Sequence, residues 1–166
     1  MRTAFIAVRA LLVAAAFLAL WIWVAWSVRP LDARLGILLP EWLLYPGLLL
    51  MVVGLALALG CAATFVVAGE GTPAPFDPPQ KFVAKGPYRY VRNPMYIGGF
   101  TALVGLGLYW RSPSVLILAV AWWMLFALFV LAVEEPMLRS KFGEEYHTYC
   151  RTVPRWLPRL RPSSSS

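Results

Sequence analysis

The sequence predicts an all-α integral membrane protein of about four transmembrane helices, the last two forming a helical hairpin, with a C-terminal amphipathic interfacial helix behind them. Three observations lead there. Apolar residues make up 60% of the 166-residue chain, only 14% are charged, and the mean hydropathy is +0.67; a soluble domain of this length is far more polar. The apolar residues gather into long runs, most of them near the roughly 20 residues that a helix needs to cross a bilayer. Prolines, glycines and charges separate these runs as breakers. Residues 1–166 read as a single membrane domain without room for a separate soluble catalytic domain, so any chemistry must be built from helix ends and short loops.

The first span is expected at about 5–26. Arg2 ahead of an apolar run is also how a signal peptide begins, but this run is too long, and Trp21, Trp23 and Trp26 mark its far end as an interfacial belt. Arg9 snorkels at the near end. The loop from Ser27 to Glu41 holds Arg29, Arg34, Asp32 and Glu41 between the breakers Pro30 and Pro40. The second span covers about 42–67, where Gly54, Ala58 and Ala62 form a small-residue stripe that admits another helix closely. From Gly69 to Pro79 the prolines rule out a helix and favour an extended path along the membrane surface.

A polar run follows, Lys85-Gly86-Pro87-Tyr88-Arg89-Tyr90-Val91-Arg92-Asn93-Pro94-Met95-Tyr96, and ends a surface loop expected at 69–94. Pro94 suits the first turn of a helix, so the third span starts there and ends near Trp110, short for a perpendicular crossing. Ser112 is placed as an N-cap with Pro113 at the first helical position. The fourth span then covers 114–133, and Glu134 and Glu135 stand where it leaves the apolar core. Beyond them Leu138, Phe142, Tyr146 and Tyr149 recur at helical spacing, the pattern of an interfacial helix with a weak point at Gly143. The interfacial helix and tail together span 134–162. The tail from Val153 to Arg159 is aromatic and basic, fit to press on the headgroup region, and Ser163–Ser166 read as disordered.

Four spans put both termini on one side. With that side cytosolic, only Arg29, Arg34 and Arg111 lie outside, an asymmetry that fits the positive-inside rule and a bacterial inner membrane. The net charge of +7 is therefore a matter of orientation and anionic lipid, not of nucleic acid. Cys61 and Cys150 fall in different environments and are not expected to pair. His147 is the single histidine, which leaves no metal site. Gly105-Leu106-Gly107 follows no strand, so a dinucleotide fingerprint fails.

The topology gathers the polar run, the glutamate pair and the tail at one surface. Each part has a plainer role by itself: arginines orient a span, tyrosines anchor it, glutamates end a helix in solvent, and glycines let helices pack. Together they suit a zwitterionic, purine-bearing ligand. Arg89 and Arg92 can take a carboxylate or phosphate, Tyr88, Tyr90 and Tyr96 offer hydroxyls and faces, and Glu134 or Glu135 can accept a hydrogen bond or a proton.

The ordered set of motifs is specific. It runs from Gly86 to Gly98, through Glu134-Glu135 and Phe142-Gly143-x-x-Tyr146-x-x-Tyr149, to Val153-Pro154-Arg155-x-x-Pro158. Over roughly residues 80–160 it resembles the isoprenylcysteine carboxyl methyltransferase and phospholipid methyltransferase superfamily. The resemblance implies S-adenosylmethionine in a cytosol-facing pocket and a lipophilic acceptor, an isoprenylcysteine carboxylate or a lipid amine, arriving from the bilayer. It implies cofactor contacts from Lys85, Gly86, Tyr88, Tyr90, Arg92, Asn93, Pro94, Tyr96, Gly98, Gly105, Gly107 and Glu134, and catalytic roles for Glu134, Glu135 and Arg92. Many members have histidine where this chain has Asn93, which cannot titrate near neutral pH, so cofactor binding survives there and a proton shuttle does not. Two other readings compete: an NADPH-dependent membrane reductase, since sterol reductases end in a similar Tyr-x-x-Tyr-Cys-x-x-Val-Pro run, and a non-enzymatic lipid-binding protein.

Overall fold

A computed structural model describes residues 2–69 and 82–160, with side chains from Val8 onward. Most of the predicted extended linker at 69–79 and the serine end expected to be disordered lie outside the described residues.

Among the described residues every regular element is helical. Helix α1 is Arg2–Val28, and its 27 residues reach about 40 Å. Helix α2, Asp32–Leu35, is one turn closed by Gly36 in the left-handed region at φ 65°. Helix α3, Leu44–Thr64, continues into a wider π-helical turn at Phe65–Gly69. Helix α4 is Pro94–Tyr109 and helix α5 is Pro113–Phe129. A second π-helical turn at Val130–Glu134 leads into helix α6, Glu135–Thr152.

Three stretches are long and apolar enough to cross a membrane by length and composition: Val8–Leu35, Glu41–Ala68 and Pro113–Thr152. Helix α4 is apolar but has only 16 residues, about 24 Å against a hydrocarbon core of about 30 Å. Leu11, Leu12, Leu49, Ile117 and Leu128 point outward from the long helices, a continuous apolar exterior of the kind that meets lipid.

Helices α3 and α4 form the tightest pair. The predicted small-residue stripe holds at Gly54 and Ala58: a Cβ on Gly98 would stand 2.8 Å from the Gly54 carbonyl oxygen and 2.9 Å from the Ala58 nitrogen. Gly47 extends the seam, where a Cβ would meet the Tyr109 nitrogen at 2.5 Å. Backbone meets backbone at these points, so only glycine fits. One turn further on Cys61, rather than Ala62, is the buried position.

The α4–α5 hairpin turns as predicted. Ser112 caps α5 by accepting the Val115 N–H at 3.3 Å, with Pro113 next to it. Helix α4 ends in a paired closure: Ser112 N–H bonds Gly107 oxygen at 2.8 Å and Arg111 N–H bonds Leu108 oxygen at 3.0 Å. Arg111 takes the left-handed position there, at φ 53°, and its guanidinium reaches Glu41 at 3.1 Å. Asp32 of α2 accepts the Ser112 hydroxyl at 2.5 Å and the Ser114 N–H at 2.8 Å, a carboxylate set at the N-terminus of α5. Above it Ala25, Leu103, Val115, Ala119 and Trp122 form the central core.

The C-terminal part adds three features to the sequence reading. Helix α6 is continuous with α5, because Glu135 N–H bonds Val130 oxygen five residues back and the π-helical turn carries the chain through the expected boundary. The apolar stripe of α6 is partly covered by the chain itself: Tyr146 and Tyr149 are buried against Phe82, with Phe142 beside them. The tail folds back onto the polar run, through Arg92 N–H to Pro154 oxygen at 2.9 Å and Arg159 N–H to Tyr90 oxygen at 3.0 Å. The predicted weak point at Gly143 is real: it sits at φ 51°, ψ −126° and kinks α6.

Candidate active site

The polar run enters α4 through a short turn at Gly86–Arg89, which buries Tyr88. Tyr88 stacks edge-on against Phe65 at 5.1 Å, and its carbonyl accepts the Tyr149 hydroxyl at 2.7 Å. Burial lifts the Tyr88 phenol well above its ordinary value, with the Cys61 thiol and the Glu134 carboxylate adding to the effect, so it stays a neutral donor.

Glu134 and Glu135 diverge, since neighbours on a helix point about 100° apart. Glu135 is buried and forms the hub of an ion-pair network. Arg155 grips it with two bonds, Nε to Oε1 at 2.7 Å and Nη2 to Oε2 at 3.0 Å. Arg92 adds a third at 2.9 Å, and Arg139, one turn along α6, adds an ion-pair contact at 3.5 Å. The bonds to Glu135 raise the Arg155 guanidinium above its already high value, against the opposing effect of burial. Glu134 faces the other way and accepts the Tyr96 hydroxyl at 2.7 Å.

A cavity of about 120 Å³ lies between these groups, the end of α3 and the α5–α6 junction. Its polar wall includes Tyr88, Arg92, Asn93, Tyr96, Glu134 and Glu135, with the exposed Lys141 also lining it, and its apolar wall includes Phe65, Phe82, Phe129, Val133 and Met137. Arg92 is bound through Nη1 to Glu135 and to the Cys150 sulfur at 3.2 Å, but its buried Nε has no partner among the described residues. A buried donor left without an acceptor is costly unless a ligand supplies one.

The geometry therefore gathers part of the predicted set. Tyr88, Arg92, Asn93, Tyr96, Glu134 and Glu135 converge on the cavity. Asn93 also holds the tail, donating to the Arg155 carbonyl at 3.1 Å. The others stand outside the cavity wall. Lys85, Gly86 and Tyr90 are exposed, Gly86 at φ 56° beside Thr64. Pro94 is buried at the start of α4. Gly98 and Gly105 are taken up by the seam with α3, and Gly107 by Leu116 of α5.

Sequence reasoning did not reach the role of Arg155, whose partner is 20 residues away. A lone arginine between prolines carries no signal for this beyond its place in the motif. Phe82, Phe129 and Val133 were also not singled out, because apolar residues near span ends read as membrane surface.

Residues 42–145, more than half the chain, match the phospholipid methyltransferase family. The chain belongs to the phospholipid methyltransferase family. Within the wider isoprenylcysteine carboxyl methyltransferase and phospholipid methyltransferase superfamily, this family member is 35% identical over 81 residues to the nickel-cobalt-cadmium resistance protein NccN of Alcaligenes xylosoxydans xylosoxydans, covering 48% of this chain and 37% of that one. It is 30% identical over 83 residues to a methanethiol S-methyltransferase of Crocosphaera subtropica, covering 48% and 30%. The matched part thus spans about a third of the length of these curated relatives. The solved structure of the eukaryotic intramembrane Ras methyltransferase ICMT, the isoprenylcysteine carboxyl methyltransferase, superposes with a TM-score of 0.60 at 23% identity, over 86% of this chain and 52% of that one. That likeness establishes the fold. With its apolar helices, this member of the phospholipid methyltransferase family is an integral membrane protein.

Proposed function

We propose that the protein is an S-adenosylmethionine-dependent methyltransferase acting on a lipophilic acceptor at the cytosolic face of a bacterial inner membrane, with four spans and both termini cytosolic. The observation that carries this reading is the cavity at the helix ends, lined by an apolar wall, by the Tyr96–Glu134 pair and by Arg92, whose buried Nε has no partner among the described residues. The residues present fit the cofactor. Arg92 has a spare buried donor for a carboxylate, Phe65, Phe82 and Tyr88 supply aromatic surface for a purine or a sulfonium, and Glu134 supplies negative charge. When bound, the cofactor supplies a methyl group on a positively charged sulfur.

The chain's own residues then have distinct tasks. The arginine–Glu135 network fixes the tail and the polar run around the cavity. The apolar wall excludes water, in which a dispersing charge would otherwise be solvated. Glu134 is the carboxylate left to meet a ligand. The cavity of about 120 Å³ is smaller than the roughly 300–1,000 Å³ of a typical small-molecule site, so a nucleoside would fill it and extend into its mouth.

The test is labelled-methyl incorporation into lipid extracts of cells expressing the protein, paired with calorimetry of S-adenosylmethionine on purified protein. Incorporation above that of an Arg92→Ala control supports the reading. No incorporation, together with binding of NADPH in place of S-adenosylmethionine, would sink it.

A further inference from the structure

We infer that a groove at the opposite end of α5 from the Glu134 cavity binds one anionic phospholipid, with Arg34 on its phosphate and an acyl chain lying along α5. This site is separate from the cavity and independent of the reaction proposed there.

The groove encloses about 440 Å³, within the roughly 300–1,000 Å³ of a small-molecule site. The end of α1, the single turn of α2 and the first two turns of α5 wall it. Leu31, Leu35, Ile117, Leu118 and Ala121 make that wall apolar, and Arg34 is the charged residue in it. Along α5 it runs from Ser114 to Ala121, about 10 Å, and Ser114 stands about 22 Å along the helix from Phe129 of the other cavity. Leu31, Leu35 and Ile117 are exposed, so the groove is part of the apolar exterior. Val28, also in its wall, sits between Trp26 and Arg29 in the chain. Trp26 meets Trp110 edge-on at 5.9 Å, and the Arg29 guanidinium lies 5.1 Å from both rings. Such an aromatic and basic belt marks the level of the lipid headgroups.

The charges at this end leave Arg34 over. Arg111 is bound to Glu41 at 3.1 Å. Asp32 accepts the Ser112 hydroxyl and the Ser114 N–H, with Arg29 as its neighbouring cation. Arg34 is exposed and makes no ion pair among the described residues, and its planar guanidinium suits the two-point contact a phosphate offers. One cation at the end of an apolar groove fits an amphiphile with one anionic group. A choline headgroup carries its own cation, which offsets Arg34, so the anionic lipid is preferred. A partner helix fits less well: close approach in this fold takes glycine, as at Gly47 and Gly54, whereas branched leucine and isoleucine side chains line the groove. One arginine near a membrane surface is worth about fivefold in affinity for anionic lipid.

The test is native mass spectrometry of the whole chain, released from a neutral detergent after incubation with dioleoyl phosphatidylglycerol or dioleoyl phosphatidylcholine. The parent should retain phosphatidylglycerol in preference to phosphatidylcholine. Arg34→Gln should lower phosphatidylglycerol retention about fivefold and leave phosphatidylcholine within twofold. Arg34→Lys keeps the charge, should fall between the two, and covers a glutamine variant that fails to fold. Ala121→Phe fills the groove from an exposed position and should lower retention of both lipids. Arg151→Gln removes an exposed cation from α6 and should stay close to the parent. The inference is overturned by phosphatidylglycerol retention that Arg34→Gln leaves unchanged or that Arg151→Gln lowers equally. Retention that Ala121→Phe does not alter also overturns it, as does glycerol 3-phosphate displacing the lipid at equal concentration, which would mark a bare anion site without a chain.

Discussion

Replacing Glu135 with glutamine removes one negative charge from the centre of three guanidinium groups and barely changes shape. Breaking a buried ion pair by deleting one partner costs about 3–5 kcal/mol. Here the Glu135 side chain is only 5% exposed, but Arg155 and Arg139 keep 33% and 50% of their exposure. Water screens part of the loss, so about 2–4 kcal/mol is expected. The partners should rank by geometry. Arg155→Ala loses two charge-assisted bonds and should cost about 1.5–3 kcal/mol. Arg139→Ala loses a half-exposed contact at 3.5 Å and should cost under about 1 kcal/mol. The double variant Glu135→Gln/Arg155→Ala should fall well short of the sum, because both changes break the same bonds. Unfolding by sodium dodecyl sulfate in mixed micelles, followed by tryptophan fluorescence, measures all four. A Glu135→Gln variant within about 0.5 kcal/mol of the parent, or an Arg139→Ala variant as damaging as Arg155→Ala, would refute the hub.

Other changes probe other parts. Gly47→Ala puts a methyl 2.5 Å from the Tyr109 nitrogen, against backbone that cannot rotate away; a loss of about 1–3 kcal/mol is expected in the same unfolding assay. Tyr96→Phe removes the hydrogen bond to Glu134, and labelled-methyl transfer should fall about tenfold, in line with about 1.5 kcal/mol for a bond to a charged group, with little change in melting temperature. Arg92→Lys keeps the charge but deletes Nε, so affinity for S-adenosylmethionine by calorimetry should fall about tenfold or more. Asp32→Asn keeps the shape at the α5 N-terminus but loses the charge, and a drop of about 0.5–1 kcal/mol in unfolding free energy is expected.

What could be read from the residues was the local part. Ser112-Pro113, Pro94, Gly143 and the Gly54 seam are set by backbone rules that act within a turn or between two helix faces, and each lies where those rules put it. The convergence of Arg92, Tyr96 and Glu134 on one cavity was also legible, because each stands at an end of an apolar run and the order of the runs brings those ends together. The pairing of Glu135 with Arg155 was not, since it depends on how the tail crosses the polar run, and hydropathy carries no information on that crossing. The same holds for the division of labour between the two glutamates. Adjacent acids look alike in sequence, and only the phase of the helix through the π-helical turn turns one to the arginines and the other to Tyr96.

The glycine seam between α3 and α4 has a consequence for how the cavity can change size. Two helices joined backbone to backbone have no side-chain slack to slide on, so they move as one piece. Asn93 and Tyr96 ride on that piece, together with Phe65 at its other edge. Glu134, Val133 and Met137 stand on the opposite side, at the α5–α6 junction, and the folded-back tail ties that side to the first through the Arg92–Pro154 and Arg159–Tyr90 backbone bonds. Because Tyr96 and Glu134 stand on these two sides of the cavity, the 2.7 Å contact between them spans it and serves as a gauge of its width.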